Sequence, residues 1–317
     1  MMSGKKVIAV IGGTGSQGSG LVRAILDDPD SEFRVRVVTR NPSSEKAQAL
    51  ADSGAEVVQA DLDDAASLRA AFEGCHGAFC VTNFWEHFSP DKEMAQAKNL
   101  ATAAGAAGVS HVIWSTLEDT RRWIPLEDTR MPTLMERFKV PHFDAKGEAD
   151  AFFVESGVPT TLLVTTFYWD NLIHFGMEPQ RGEDGNLVFA LPMGEAKLSG
   201  IAAGDIGKCA YGIFQGGDEF IGKTVGIAGE HLTGAEMASA LGDALGEPVS
   251  YFAVPFDTYR SFDFPGADDM GNMFQFYHDF NEAFTGARDV ELSRRLNPDL
   301  LSFRDWLATH GGKIPRH

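Results

Sequence analysis

The sequence predicts an α/β fold: a Rossmann-type, doubly wound parallel sheet followed by a smaller α+β C-terminal lobe. Short apolar runs without alternation recur along the first half of the chain, and helical stretches separate them. Such runs are typical of strands buried on both faces of a parallel sheet. Regular alternation of strand and helix favours a doubly wound sheet with right-handed crossovers. A glycine-rich turn after the first run supports the same fold class.

Six strands and five helices are predicted before residue 165. The strands are expected at residues 6–11, 35–39, 56–59, 77–81, 111–115 and 160–164, each bounded by Gly, Asn or Asp. The helices are expected at residues 18–26, 45–52, 65–72, 93–107 and 146–156. Together these elements define a first domain over residues 1–165.

The pattern changes after residue 165, and a smaller lobe is predicted over residues 166–317. Short strands are expected at 187–191 and 225–227, and helices at 206–214, 234–245 and 300–310. The chain is expected to re-enter the first domain around residues 195–230. Residues 251–284 are dense in Phe and Tyr without clear helical or strand periodicity. Their rings either form core or line an apolar pocket.

Composition limits the partners of the chain. A formal charge of -18 repels phosphate backbones, and the densest basic stretch, residues 121–139, is interleaved with acids. Direct binding of nucleic acid is therefore not expected. There is no apolar run of about 18 residues to cross a membrane, and the first residues lack the apolar region of a secretory signal, which predicts a cytoplasmic protein. Cys75, Cys80 and Cys209 form no CxxC pair and are expected to be reduced core residues.

A glycine-rich loop joins the first predicted strand to the first predicted helix, and it reads Gly12-Gly13-Thr14-Gly15-Ser16-Gln17-Gly18. Gly12 permits the tight turn, Gly15 lets the backbone approach a pyrophosphate, and Gly18 allows the helix to pack closely on the strand. Unpaired N-H groups at the start of the helix would face the anion. The sequence therefore predicts a dinucleotide site at residues 12–18.

The end of the second predicted strand indicates which dinucleotide binds. An acidic residue there would bond the ribose 2'-hydroxyl of NAD, whereas a cation would accept a 2'-phosphate. The residue at this place is Arg40, whose guanidinium can direct two N-H donors onto one phosphate. NADP(H) is therefore the predicted cofactor. The alternative is that Arg40 only ends a strand at the surface.

Further cofactor contacts are predicted after the third and fourth strands, because parallel sheets bind ligands outside the carboxyl ends of their strands. After the third strand, Asp61 could bond the adenine amino group and Leu62 could lie against the ring. After the fourth, Thr82, Asn83 and Phe84 would lie beside the ribose. A turn-forming role is the alternative for both segments.

These segments resemble the NmrA-like family, an atypical branch of the extended short-chain dehydrogenase superfamily, and especially its animal NADPH-sensor members, often called HSCARG. The resemblance rests on motifs along nearly the whole chain: GGTGSQG, VRVVTRNP, GAEVVQADLDD, VTNFWE, HFDAKGE, FYWDNL, FPGADDMGNMFQFY and RLNPDLLSFRDWL. Besides the residues above, it implies an NADP(H) site that includes Lys146, Tyr168, Trp169, Asp170 and Asn171.

The resemblance also exposes one departure. Enzymes of this superfamily carry Tyr-x-x-x-Lys on a helix, where the lysine lowers the pKa of the phenol so that the tyrosine can exchange a proton. The matching segment here keeps Lys146, which is expected to hold the ribose hydroxyls, but has His142 in place of the tyrosine. His142 is a candidate substitute acid, with Ser115 or Thr116 orienting a substrate carbonyl. Tyr168 is a second possible donor, and the alternative for His142 is that it simply begins a helix.

Two functions follow from these residues. The missing tyrosine favours a redox-sensing NADP(H) binder that acts through a protein partner, which requires different affinities in two states. The alternative is an NADPH-dependent reductase of a small carbonyl, quinone or imine-like compound, with an apolar or aromatic substrate. A homodimer is compatible with both. No metal site is predicted, because ligand spacing is absent around His76, His87, His111 and His174.

Overall fold

The computed structural model describes residues 4–316 and places a parallel sheet at the centre of the molecule. Within that range the strands are, in chain order, β1 (Lys6–Ile11), β2 (Phe33–Thr39), β3 (Glu56–Gln59), β4 (Gly77–Cys80), β5 (His111–Thr116), β6 (Thr160–Val164), β7 (Phe167–Tyr168), β8 (Gln180–Arg181), β9 (Leu187–Leu191), β10 (Lys197–Ile201), β11 (Thr224–Gly226), β12 (Glu230–Thr233) and β13 (Val249–Ala253).

The helices cover both faces of this sheet and build much of the second lobe. In chain order they are α1 (Gly18–Asp27), α2 (Glu45–Asp52), α3 (Ala65–Phe72), α4 (Pro90–Ala106), α5 (Pro141–Glu155), α6 (Asn171–His174), α7 (Ala203–Gly216), α8 (Gly234–Leu245), α9 (Phe256–Arg260), α10 (Ala267–Asp279), α11 (Asn281–Gly286), α12 (Val290–Leu296) and α13 (Phe303–His310). Four short 3-10 turns accompany them in the described range.

The central sheet has seven parallel strands in the order β11-β6-β5-β4-β1-β2-β3. Two clusters of buried apolar side chains lie against it, one on each face. The predicted Rossmann-type, doubly wound fold is confirmed. Because the chain moves outward in opposite directions from β1, the strand order reverses between β1 and β4, and a crevice opens there at the carboxyl ends.

Helix α1, which follows the glycine-rich loop, is held by an unusually close crossing with α7. A Cβ at Gly20 would lie 2.0 Å from the carbonyl oxygen of Gly204, and a Cβ at Gly207 would lie 2.1 Å from the amide nitrogen of Leu21. Only glycine allows the two backbones to approach this far. Residues from beyond the predicted boundary at 165 therefore fix the helix that follows the loop.

The second lobe has two small sheets, of orders β12-β10-β7 and β13-β9-β8, and a set of short helices. Its core is rich in rings, including Trp169, Phe189, Phe274 and Trp306. This matches the predicted α+β character of the lobe. The strand expected at 225–227 is β11, which pairs in parallel with β6 and so extends the central sheet rather than the second lobe.

Strands β7, β8, β10 and β12 and helices α6 and α12 were not predicted, and two further segments differ from the sequence-based prediction. Residues 251–284, without recognisable periodicity, form the end of β13 and the three helices α9 to α11, because rings buried on several sides hide the helical period. Helix α5 begins at Pro141, five residues before the predicted start at 146. Proline is well suited to the first helical position, where its missing N-H costs nothing.

The three cysteines have the core environment expected of them, and two arginines of the basic stretch are paired with acids. All three cysteines are free and buried, and burial raises the pKa of the Cys80 and Cys209 thiols. Arg121 and Arg137 form ion pairs with acidic neighbours. Lys139 differs, because it is fully buried and donates to backbone carbonyl oxygens. Among residues 4–316, no helix is long and apolar enough to cross a membrane.

Candidate functional site

The glycine-rich loop lies at the carboxyl end of β1, next to the reversal of strand order. Gly12 has a φ of +65°, and a Cβ at Gly18 would lie 2.4 Å from the carbonyl oxygen of Gly12. Strand and helix thus meet at a distance that only glycine permits. Within residues 4–316, the N-H groups of Ser16 and Gln17 donate no hydrogen bond. A tight turn with free donors at a helix start has the chemistry that a pyrophosphate requires.

A chain of hydrogen bonds connects this loop to strands β5 and β7, which belong to different sheets. The Ser115 hydroxyl donates to Oε1 of Gln17 at 2.8 Å, and Nε2 of Gln17 donates to the Tyr168 hydroxyl at 2.6 Å. Burial raises the pKa of Tyr168. Ser115 has its only proton engaged with the loop, so the expected role in orienting a substrate carbonyl would require that bond to open.

Arg40, at the end of β2, forms a bidentate ion pair with Glu86, which follows β4. Its Nη1 donates to Oε1 of Glu86, and its Nη2 donates to Oε2 at 3.1 Å. The two side chains are 61% and 47% exposed. Because β1 lies between β2 and β4 in the sheet, the pair spans the crevice beside the glycine loop. The guanidinium of Arg40, which is predicted to bind a 2'-phosphate, is therefore already paired with the carboxylate of Glu86.

Lys146 is buried beside the end of β4 with its three N-H donors engaged. Nζ donates to Oγ1 of Thr82 at 2.7 Å, to Oε1 of Glu93 at 2.8 Å, and to the Thr82 carbonyl oxygen at 3.3 Å. Burial opposes ionisation of Glu93, but Lys146 and hydrogen bonds to the carboxylate outweigh it and hold the pKa of Glu93 below its usual range. Contact with a ribose hydroxyl would replace the longest of these three bonds.

His142 forms a buried pair with an acid from the second lobe. Its Nδ1 lies 2.7 Å from Oδ1 of Asp269, and its backbone N-H donates to Oδ2 of the same residue at 3.2 Å. The imidazole centroid lies 4.7 Å from the ring of Trp85 and 5.8 Å from that of Phe84. Because the carboxylate accepts the Nδ1 proton, Nε2 is left to exchange one. In the described part of the chain Nε2 forms no hydrogen bond.

His142 is also the second residue of α5, so it does begin a helix. Four residues later, one turn along the same helix, comes Lys146. Side chains at this spacing share a helix face. Both residues are buried at the end of the sheet that carries the glycine loop. The segment after β4 contacts both of them: the ring of Phe84 lies near His142, and the hydroxyl of Thr82 accepts from Lys146.

The segments after β3 and β4 are at the expected edge, and their polar atoms make turns. Oδ1 of Asp61 accepts from the N-H of Asp63, which is the turn-forming alternative for this residue. The carbonyl oxygen of Leu62 accepts from Asn99. Asn83 precedes a 3-10 turn over Phe84–Glu86, and its carbonyl oxygen accepts from Glu86. Both segments remain beside the crevice.

The FYWDNL segment divides between the two lobes. Tyr168 reaches the glycine loop, whereas Trp169 is buried against Phe303 and Trp306 in the second lobe. Successive side chains along an extended segment point to opposite faces, so Tyr168 and Trp169 cannot both face the loop. Oδ2 of Asp170 accepts from the N-H of Ala203 at the start of α7. These contacts connect Trp169 and Asp170 to the second lobe and to α7, and the cofactor contacts expected for the two residues stay predictions.

Asn171 and the aromatic segment complete the predicted set. Asn171 begins α6 and is half-buried beside Asp170. In the aromatic segment, Tyr259, Phe274, Phe276 and Tyr277 are buried core residues, while Phe262 and Phe264 are exposed. Eight rings were candidates for a pocket: Phe256, Tyr259, Phe262, Phe264, Phe274, Phe276, Tyr277 and Phe280. The core alternative holds for half of them, and a pocket lined by all eight does not form. No cluster of three or more His, Cys, Asp or Glu able to hold a metal occurs among residues 4–316.

Three acidic residues of the site were missing from the sequence-based set: Glu86, Glu93 and Asp269. Glu86 and Asp269 lie within motifs that carry the family resemblance, VTNFWE and FPGADDMGNMFQFY, so membership of a motif was a usable signal. Glu93 lies in the first turn of α4. Acidic residues are common in the first turn of a helix because their negative charge interacts favourably with the helix dipole. Nothing in the sequence distinguishes a buried acid at this place from an exposed one.

Comparison with known proteins agrees with the motifs. A family model described as the NmrA-like family matches residues 4–306. An NmrA-like family domain-containing oxidoreductase of Malbranchea aurantiaca is 29% identical over 261 residues, 79% of this chain and 76% of that protein. An NAD(P)H azoreductase of Xenophilus azovorans is 31% identical over 254 residues, 79% of this chain and 78% of that protein.

Solved structures share the fold along almost the whole chain. The crystal structure of NmrA, a negative transcriptional regulator, in complex with NADP superposes with a TM-score of 0.78 at 22% identity. The match covers 96% of this chain and 95% of that one. At this identity the likeness establishes the common fold.

Proposed function

This chain belongs to the NmrA-like family, and we propose that it binds NADP(H) beside the glycine loop and uses NADPH to reduce a small unsaturated compound. The observation that carries the proposal is the 2.7 Å hydrogen bond between Nδ1 of His142 and Asp269. It orients an imidazole at the position where the superfamily's enzymes have their proton-donating tyrosine. A carboxylate that binds one ring nitrogen of a histidine leaves the other nitrogen to exchange a proton with a substrate.

The residues around the crevice fit the proposed cofactor. Free N-H groups of the loop and the close approach of Gly12 and Gly18 suit a pyrophosphate. Arg40 would bind the 2'-phosphate if its ion pair with Glu86 opened. An azoreductase relative named for NAD(P)H and an NmrA structure holding NADP support the same choice of cofactor. Bound NADPH would supply a hydride to the substrate.

Proton delivery would fall to His142. Reduction of a C=O, C=N or N=N bond needs one proton for each hydride that is added. Nε2 of His142 would donate that proton to the substrate heteroatom, Asp269 would stabilise the imidazolium before transfer, and solvent would return the proton afterwards. Lys146, one helical turn away, would position the ribose by exchanging its bond to the Thr82 carbonyl oxygen.

The walls around His142 favour a flat aromatic substrate. Trp85, Phe84 and Phe143 have ring centroids within 6 Å of the imidazole. Aromatic walls bind aromatic ligands by offset or edge contacts and exclude water from the reacting atoms. Quinones, aromatic imines and azo compounds combine such a ring with a reducible bond. The azoreductase relative, by its name, acts on a member of this class.

Loss of NADPH absorbance with a panel of quinones, azo dyes, aromatic imines and aldehydes tests the proposal. We expect turnover with at least one of these compounds. His142→Ala should lower kcat by about 10²-fold or more, as for loss of a general acid, while the KM for NADPH stays unchanged. His174→Ala is the control, because His174 is exposed on the short helix α6.

The outcome separates binding from chemistry. If calorimetry shows that NADPH binds and no compound of the panel is reduced, the chain is not a reductase of this class. If NADPH does not bind at all, both parts of the proposal fail. Equal turnover of His142→Ala and the wild type would leave the reaction but remove His142 as the acid.

A redox sensor is the second candidate, and the ion pair of Arg40 with Glu86 favours it. A 2'-phosphate on Arg40 would change the contacts of the segment that carries Glu86, which gives an occupied and an empty state with different surfaces. Light scattering and capture of protein partners with and without NADPH test this. Identical assembly and partner binding at saturating NADPH would contradict it.

A further inference from the structure

We infer that Glu86 competes with the cofactor's 2'-phosphate for Arg40, so that Glu86 sets the preference between NADP(H) and NAD(H) and links 2'-phosphate binding to the wall of the His142 site. The inference rests on the proposed binding of NADP(H) and adds a specificity-determining residue to it. The residues that carry it are Arg40, Glu86, Trp85 and Phe88.

The first step concerns the donors of Arg40. Both terminal nitrogens of its guanidinium point at the two carboxylate oxygens of Glu86. A phosphate is recognised by the same fork of two parallel N-H donors. The two anions therefore need the same face of one side chain. A 2'-phosphate can gain its bidentate contact only when Glu86 leaves.

The second step concerns charge. A 2'-phosphate placed on Arg40 while Glu86 remains would bring two like charges within a few ångströms, which disfavours both. The 2'-hydroxyl of NAD(H) is neutral and imposes no such exclusion. Bound NAD(H) can therefore leave the pair closed, whereas bound NADP(H) opens it. Glu86 lowers the affinity for NADP(H) by the free energy of the pair and leaves that for NAD(H) nearly unchanged.

The third step is the connection to His142. Glu86 ends the 3-10 turn that contains Trp85, whose ring lies 4.7 Å from the imidazole. Two residues on, Phe88 has a φ of +53°, an unusual value outside glycine. Both rings lie against Gly266, where a Cβ would be 2.9 Å from Trp85 and 3.3 Å from Phe88. Gly266 precedes α10, the helix that carries the partner of His142.

Displacement of Glu86 thus acts on a short turn that contacts both sides of the proton-donating pair. The turn contacts His142 directly, and it contacts the start of the helix that holds Asp269. An event at the adenosine end of the cofactor is thereby transmitted to the site where the substrate would react. NAD(H), which leaves Arg40 and Glu86 paired, would not trigger it.

Calorimetry with NADPH and NADH tests the competition. Glu86→Gln keeps the size of the side chain and removes its charge. We expect the ratio of NADPH to NADH affinity to rise about two- to fivefold, which is the contribution of an exposed ion pair. The matched control is Glu247→Gln, which removes the same charge from a similar exposed pair with Arg181 in the second lobe. It should leave the ratio unchanged.

Three results are decisive. A ratio in Glu86→Gln equal to that of the wild type overturns the inference, and so does an equal gain for both cofactors. A loss of NADPH affinity also overturns it, because Glu86 would then support the site instead of competing for it. Failure of the wild type to bind either cofactor would instead end the proposed function, so the two failures are distinguishable.

Fluorescence of Trp85 tests the link to His142. The probe is adenosine 2',5'-bisphosphate, which carries the 2'-phosphate without a nicotinamide, and adenosine 5'-monophosphate is its control. The Trp85 contribution is the difference in emission between the wild type and Trp85→Phe. We expect the bisphosphate, and not the monophosphate, to change it, and Glu86→Gln to show the change before any ligand is added. Equal responses to both nucleotides would refute the coupling.

Discussion

His142 on α5 and Asp269 on α10 are 127 residues apart in the chain, and a 2.7 Å hydrogen bond joins their side chains. Both are nearly buried, with side-chain exposures of 7% and 4%. The bond crosses from the domain that carries the glycine loop to the second lobe. It also fixes which ring nitrogen of His142 is left to exchange a proton, since the carboxylate accepts from the other.

The first prediction concerns Asp269 as a positioning residue. Asp269→Asn removes the charge that stabilises the imidazolium, so we expect kcat with a reducible substrate to fall by about tenfold or more while the KM for NADPH is unchanged. The alkaline limb of the pH profile should also move to lower pH, because a general acid acts only in its protonated form and Asp269 favours that form. Asp268→Asn, at an exposed neighbouring position, is the control. An unchanged pH profile in Asp269→Asn would show that the pair is only structural.

The second prediction concerns Gly18. A Cβ there would lie 2.4 Å from the carbonyl oxygen of Gly12, so Gly18→Ala must move the loop away from the helix. We expect an unfolding free energy lower by about 1–3 kcal/mol, the usual cost of overpacking, together with weaker NADPH binding. Denaturant unfolding and calorimetry measure the two effects. Gly286→Ala, where a Cβ has nothing within 4 Å, should lose neither stability nor binding.

The third prediction concerns Arg288, which is fully buried and joins the end of α11 to the central domain. It forms a bidentate pair with Glu118 and donates to the carbonyl oxygen of Thr165. Arg288→Met leaves Glu118 as an uncompensated charge, so we expect a loss of about 3–5 kcal/mol in unfolding free energy. The double variant Arg288→Met with Glu118→Gln should recover part of this loss.

Denaturant unfolding of the Arg288 variants needs a matched control. Arg304→Met is suitable, because Arg304 pairs with Asp243 at the surface and both side chains are more than 60% exposed. Exposed pairs contribute roughly 0–1 kcal/mol, so this variant should be nearly neutral. Equal stability of Arg288→Met and Arg304→Met would contradict the role given to the buried pair.

The fourth prediction concerns pH and His111. Burial, with a smaller effect of His76, lowers the pKa of His111 to about 4, whereas in the unfolded chain it titrates near its ordinary value of about 6.5. Between these values only the unfolded chain takes up the proton. Stability is therefore lost as pH falls from about 6.5 to 4, by about 3 kcal/mol in total from this residue.

Urea unfolding across that pH range measures this loss. His111→Gln can keep a hydrogen bond to Thr161, which now bonds Nε2 of the histidine at 2.8 Å, and it should show a shallower decline than the wild type. His174→Gln changes an exposed histidine and should follow the wild-type curve. Parallel curves for His111→Gln and the wild type would show that His111 does not cause the acid sensitivity.

Much of the fold was predictable because its signals are local. Unbroken apolar runs marked six strands of the central sheet, and the glycines of residues 12–18 marked the loop after β1. Periodicity failed where it is hidden, because the helices between residues 256 and 286 bury rings on several faces. Strands β7 and β8 have two residues each, which is too short to show alternation. The start of α5 at Pro141 has a local signal too, because proline favours the first helical position.

By itself, the sequence determined the fold class, the place of the glycine loop, the basic residue after β2 and the exchange of tyrosine for His142. These depend on spacing within one segment and on residue type. The tertiary structure decided the partners: Glu86 on Arg40, Glu93 on Lys146 and Asp269 on His142. Each partner comes from another element of the chain. The charge balance of a site depends on which acids the folded chain brings within a few ångströms of a cation or a histidine. No local sequence pattern encodes that proximity.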